Sequence, residues 1–119
     1  MSGWTIGAVP LSTPGGTLHV PGWVRPPFGI DARMDVDSGI PVYVITHVPT
    51  GLSVCALSVP PRKLARAVDL LLTLGDWAFT DEAGIADYRD AMNVLRASGF
   101  EPANPARAGH LPGPEGVSA

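Results

Sequence analysis

His47 and Cys55 flank the triplet Pro49-Thr50-Gly51 in the stretch "VYVITHVPTGLSVCALSV", residues 42–59. On a hairpin folded at that triplet they share one face as diagonal neighbours, close enough to interact. A thiol beside an imidazole suggests a nucleophile with its base or two metal ligands. Neither chemistry finds its other members. A structural zinc wants four ligands, and the remaining histidines, His19 and His110, lie far off in irregular sequence with no C-x-x-C, H-x-x-x-H or H-E-x-x-H spacing. "DVDSG" at 35–39 starts like a calcium loop but lacks the third ligand and the closing Glu, so it reads as a turn. "PGG" at 14–16 has neither phosphate-loop spacing. The expectation is a non-enzymatic chain with no catalytic residue, no metal and no cofactor.

Two other groups could bind rather than react. Arg62, Lys63 and Arg66 fall in the first turns of an expected helix, where cations oppose the helix dipole. Together with free backbone N–H groups there they could meet an anion or a phosphate. Trp23 and Phe28 lie in "GWVRPPFG", residues 22–29. Aromatic and Arg residues are the types enriched at interface hot spots, so these two are the candidate partner-binding residues. The competing reading is that Trp4, Trp23 and Phe28 fold back as core.

The elements that must position these groups are set by Pro, Gly and apolar period. Residues 1–41 hold six Pro and seven Gly, so regular elements there are expected to be short, at Trp4–Val9, Thr17–Val20 and Ala32–Val36. For the hairpin, Pro49 fixes the first loop position and Gly51 tolerates the left-handed last one. The register then pairs Val48 with Leu52, Thr46 with Val54, Ile45 with Cys55 and Val44 with Ala56. Both faces are largely apolar. With helices expected over Val44, Val54 and Ala56, the face of Tyr43, Ile45, Leu57 and Val59 needs a second cover, and Trp4, Trp23 and Phe28 are the candidates. Pro60-Pro61 opens a helix whose stripe is Leu64, Ala67, Val68, Leu71 and Leu72, running over about 61–74 with Gly75 as its cap. A second helix over about 81–98 has Thr80 as N-cap, Ile85, Tyr88, Met92 and Leu95 on one face, and Gly99-Phe100 as its stop.

A hairpin followed by a basic helix, about residues 40–75, loosely resembles the small DNA-binding arm modules of phage integrases. Those modules carry basic and aromatic residues on the sheet face, where this chain has Val, Ile, Leu, Ser and Cys; the family is not assigned.

The fold class expected is α+β: a small antiparallel sheet, built on the 42–59 hairpin and short N-terminal strands, against two helices. Residues 1–100 form one domain with a Pro/Gly-rich N-terminal segment. Residues 101–119, without period and rich in Pro, Gly and Ala, form a disordered tail. A net charge of −3 and a pI near 5.4 argue against a nucleic-acid footprint, which is usually basic. One cysteine leaves no disulfide framework. The sequence shows neither a secretory pattern nor an apolar run of spanning length, so a cytoplasmic location and no membrane partner are expected. Seven Arg against one Lys, no Gln and abundant Ala, Gly and Pro suggest a high-GC bacterium or its phage. The function expected is a small protein-interaction module, meeting another protein or a second copy of itself. The alternative is weak nucleic-acid binding through Arg62, Lys63 and Arg66.

Overall fold

Tight turns fold the first half of the chain into a meander. A computed structural model describes residues 3–86, 88, 90–103 and 108–110. Strands β1 (Thr5–Thr13), β2 (Gly16–Arg25), β3 (Phe28–Asp35), β4 (Pro41–His47) and β5 (Leu52–Leu57) form one antiparallel sheet in chain order. Helices α1 (Pro61–Leu72), α2 (Glu82–Ala86) and α3 (Ala91–Ala97) follow, then the short strand β6 (Ala108–His110). The fold is α+β with the sheet dominant. No helix among the described residues is long and apolar enough to cross a membrane.

The N-terminal third is more regular than its Pro and Gly content suggests. Three long strands replace the three short fragments. Proline removes a ladder donor and is tolerated at sheet edges. Pro10 lies on β1, the edge strand, and Pro21 lies where β2 has only β1 beside it, since β2 meets β3 only over Trp23–Arg25. The β3–β4 turn is fixed by Asp35, whose Oδ1 accepts the backbone N–H groups of Asp37 at 2.9 Å and Ser38 at 3.0 Å, the turn role expected of "DVDSG".

The β4–β5 hairpin keeps the expected pairs Ile45–Cys55 and Val44–Ala56, then shifts. Thr46 pairs with Ser53 and His47 with Leu52, with a bulge at that step. The expected pairs Thr46–Val54 and Val48–Leu52 do not form, because the Val48 N–H donates to the Pro27 carbonyl at 2.8 Å and so belongs to the β2–β3 turn. Gly51 has φ +71° as expected. Its carbonyl accepts the Ser12 N–H at 2.8 Å, which brings the far end of β1 onto the hairpin loop and curls the sheet on itself.

That curl decides which layer covers which face. Phe28, Ile30, Ile45, Cys55 and Leu57 pack with Leu64, Ala67, Val68 and Leu71 of α1, with Trp77, and with Ala91, Leu95 and Phe100. The helical layer therefore lies on the Ile45–Leu57 face, and Trp4, Trp23 and Phe28 join it there. This corrects the expectation that the aromatics cover the face the helices leave. On the opposite face Val9, Leu11 and Val20 form one cluster, and Val42, Val44 and Ala56 form another. Asp31 is buried on that inner face and pairs with Arg33, Nε to Oδ2 at 2.8 Å.

The expected second helix is two. Asp81, not Thr80, caps α2, its Oδ1 accepting the Gly84 N–H at 3.2 Å. The break falls at Tyr88, whose ring stacks on Trp77 at 3.8 Å and whose hydroxyl donates to the Asp76 carbonyl at 2.6 Å. α3 ends as expected: Gly99 has φ +92°, its N–H reaches the Arg96 carbonyl, and the Phe100 N–H reaches the Leu95 carbonyl at 3.0 Å, the paired bonds of a glycine-terminated helix. α1 closes earlier than expected, at Thr73 rather than Gly75, with Thr73 Oγ1 donating to the Leu70 carbonyl.

Within the segment expected to be structureless, the described residues are paired. Pro102 bridges Leu57, Ala103 N–H donates to the Ala56 carbonyl at 2.9 Å, and β6 pairs with β3 over Arg33–Asp35. The rest of that expected tail, 104–107 and 111–119, lies outside the described residues.

A candidate partner-binding groove

The cysteine–histidine pair does share a face, but it does not assemble a reactive site. The His47 side chain is fully buried. Its Nε2 lies 2.8 Å from the Trp77 carbonyl, which can only accept, so Nε2 carries a hydrogen. Nδ1 meets Thr50 Oγ1 at 2.9 Å. Both nitrogens are committed away from Cys55, and the ring stacks on Phe79 at 4.3 Å. Burial pushes the Cys55 thiol up to about 12. At neutral pH it stays protonated, and a thiol is not the nucleophilic form. The pair is a piece of core.

Trp23 and Phe28 part company. Phe28 is 0 % exposed, set edge-on to Trp77 with ring centroids 4.9 Å apart, so no partner can touch it. It supplies core, the competing reading of that segment. Trp23 is half-buried against the same cluster.

Arg62, Lys63 and Arg66 are all exposed, and among the described residues none makes an ion pair. Helical geometry explains their exposure. Leu64, Ala67, Val68 and Leu71 turn inward, so Arg62 and Arg66, four apart, stand on the opposite side. Asp69, one turn on, is already engaged by Arg25 at 3.1 Å. The N-terminus of α1 is bare of compensation: Pro60 offers no capping side chain, and the first turn has no acidic residue.

Next to this basic turn lies the feature that the sequence did not single out. The β4–β5 register sets Tyr43 opposite Leu57. The entry to β4 and the exit from β5 are therefore neighbours, and each carries proline. Ile40, Pro41 and Tyr43 from one side, and Ser58, Val59, Pro60 and Pro61 from the other, line a groove of about 250 Å³. The Ser58 hydroxyl ties its walls together by donating to the Pro41 carbonyl at 3.2 Å. Ile40 is 50 % exposed, and Val36, in the same Asp35-fixed turn, is 71 % exposed. The signal was present as "GIPVY" and "LSVPP" at the two open ends of one hairpin, but a pairing argument alone does not say whether helices cover those ends. A second hollow, of about 310 Å³, opens on the inner face between Leu11, Leu18, Arg33 and Ser53.

No family model matches this chain, and the searches found no similar curated protein and no similar solved structure.

Proposed function

We propose that the chain is a small, non-enzymatic, cytoplasmic protein-interaction module that engages its partner through the groove between the β3–β4 turn and the β5–α1 junction. One observation carries this reading: Val36 and Ile40, large apolar side chains, are exposed on a turn that Asp35 holds rigid. A fixed apolar rim beside a hollow is the kind of surface that marks interaction sites. The buried state of His47 and Cys55 is consistent with a non-catalytic role, and Trp23 is left as a peripheral contact at most. The alternative, nucleic-acid binding through Arg62, Lys63 and Arg66, uses the same end of the molecule but leaves the apolar rim without a purpose.

Site-specific photo-crosslinking tests the proposal. A photoreactive side chain at Ile40 is expected to give a discrete protein adduct in cells that naturally express the chain. The same side chain at exposed Ala97 on α3 serves as the control. No adduct at position 40, or the same adducts at both positions, would overturn the reading.

A further inference from the structure

We infer, resting on the interaction reading above, that the groove takes an acidic peptide segment of its partner: an apolar side chain seated against Ile40, Tyr43 and Val59, with carboxylates beyond it facing Arg62, Lys63 and Arg66. The argument starts from size. At about 250 Å³ the hollow lies below the roughly 300–1,000 Å³ of small-molecule sites, and it matches a single large side chain better than a cofactor. The lining decides the chemistry of that side chain. It holds no carboxylate, amine, guanidinium or imidazole, so an apolar anchor is the group that gains from entering.

The lining also disfavours one mode of docking. Pro41, Pro60 and Pro61 have no N–H to donate, and the Ile40 and Ser58 N–H groups are already bonded to Ser38 Oγ and the Glu101 carbonyl, so the walls offer little to a backbone ladder and recognition falls to side chains. Charge then sets the flank. Three exposed cations sit on α1 without an ion pair among the described residues: Arg62 and Lys63 directly after Pro61, at the positive end of an uncapped helix dipole, and Arg66 one turn further on. Of the nearby carboxylates, Asp69 is paired with Arg25, while Asp35 and Asp37 sit on the β3–β4 turn at the other side of the groove, Asp35 accepting two backbone N–H groups. The unpaired positive charge is confined to the α1 side of the groove, and its complement there is an acidic segment.

Selection from a random dodecapeptide display library on the intact protein, followed by fluorescence polarisation with the enriched peptides, tests this. The expected enriched set pairs a large apolar residue with Asp or Glu. Its affinity should fall about tenfold or more in I40D and in R62E/K63E, and should weaken as salt rises. All three positions are exposed, and a thermal melt checks that both variants stay folded. A basic or uncharged consensus, no enrichment, or peptides indifferent to R62E/K63E would each overturn the inference. So would a short DNA duplex that displaces the peptides in an Arg62- and Lys63-dependent way. A crosslink at Ile40 with a non-acidic consensus would sink the acidic partner while leaving the interaction module standing. Loss of the crosslink itself would sink the module reading.

Discussion

His47 works as a clasp. Its ring joins the hairpin loop, through Thr50, to the chain after α1, through the Trp77 carbonyl, and it lies flat on Phe79. Replacing His47 with Phe keeps a ring in the stack but strands a buried carbonyl. The expected loss is about 1–3 kcal/mol, the penalty for an unpaired buried group, read from urea unfolding; a variant as stable as the parent would contradict the clasp. Cys55 gives a chemical readout of the same core. With its thiol raised to about 12, it should resist a thiol reagent at pH 8 in the folded protein and react fully in denaturant. The sign of its linkage follows. The folded value lies above the ordinary 9.0, so this group's contribution is intact below pH 9 and is lost as pH climbs from 9 towards 12. Fast labelling of the native protein would refute the burial. Alternation along the strands was enough to put His47 and Cys55 on one face. It could not show that both imidazole nitrogens are already taken, since one partner is a main-chain oxygen 30 positions away.

The hairpin shows what an element-level pattern can and cannot specify. Pro-Thr-Gly located the loop, and Gly51 ends it with positive φ. Gly51→Val should cost more than the about 1–2 kcal/mol that left-handed backbone charges a side chain, because a Cβ there would also stand 2.9 Å from the Ser12 nitrogen. An unshifted melting curve would contradict both the loop and the closure of the sheet. The bulge was not legible, because it arises from Val48 bonding to Pro27, a contact between two turns far apart in sequence. The same limit applies past α3. Residues 101–103 have no apolar period, yet two hydrogen bonds, Ser58 N–H to the Glu101 carbonyl and Ala103 N–H to the Ala56 carbonyl, bridge them to the β5 edge, and Ala103 packs on Val42, Val44 and Ala56. Two truncations isolate that strip. A chain ending at Phe100 should be less stable than one ending at Ala103 by about 1–3 kcal/mol, the sum of two net backbone hydrogen bonds of about 0.5–1.5 kcal/mol each. Equal stabilities would mean the strip contributes nothing.

At the scale of the whole molecule, a sheet apolar on both faces demanded two covers, and that requirement was readable from residues 42–59 alone. Which cover goes where was not. Helices α1 and α3 present enough apolar surface for either face, and the choice is made by the curl that carries β1 and β2 around to the inner side. The candidate groove was hidden for the same reason, since it lies at the hairpin's open end on the margin of the helical layer, which Tyr43 and Val59 only partly join. Two separate clusters on opposite faces of one sheet make a testable claim about how the fold is held. Leu71→Ala opens the helical layer and should cost about 2–5 kcal/mol; Val9→Ala opens the inner layer and should cost about 2 kcal/mol. Both side chains are 0 % exposed and they belong to different clusters. Non-touching sites add to within about 0.5 kcal/mol, so the double variant should lose the sum of the two. The transition should nonetheless stay single, because Gly51 and Ser12 lock β1 to the hairpin that the helices also cover. Tryptophan fluorescence, from Trp4, Trp23 and Trp77 packed together in the helical layer, and far-ultraviolet circular dichroism of the whole backbone should therefore report coincident unfolding in both single variants. Two separated transitions would show that the inner layer folds as a unit of its own, and that the curl is not what unites the molecule.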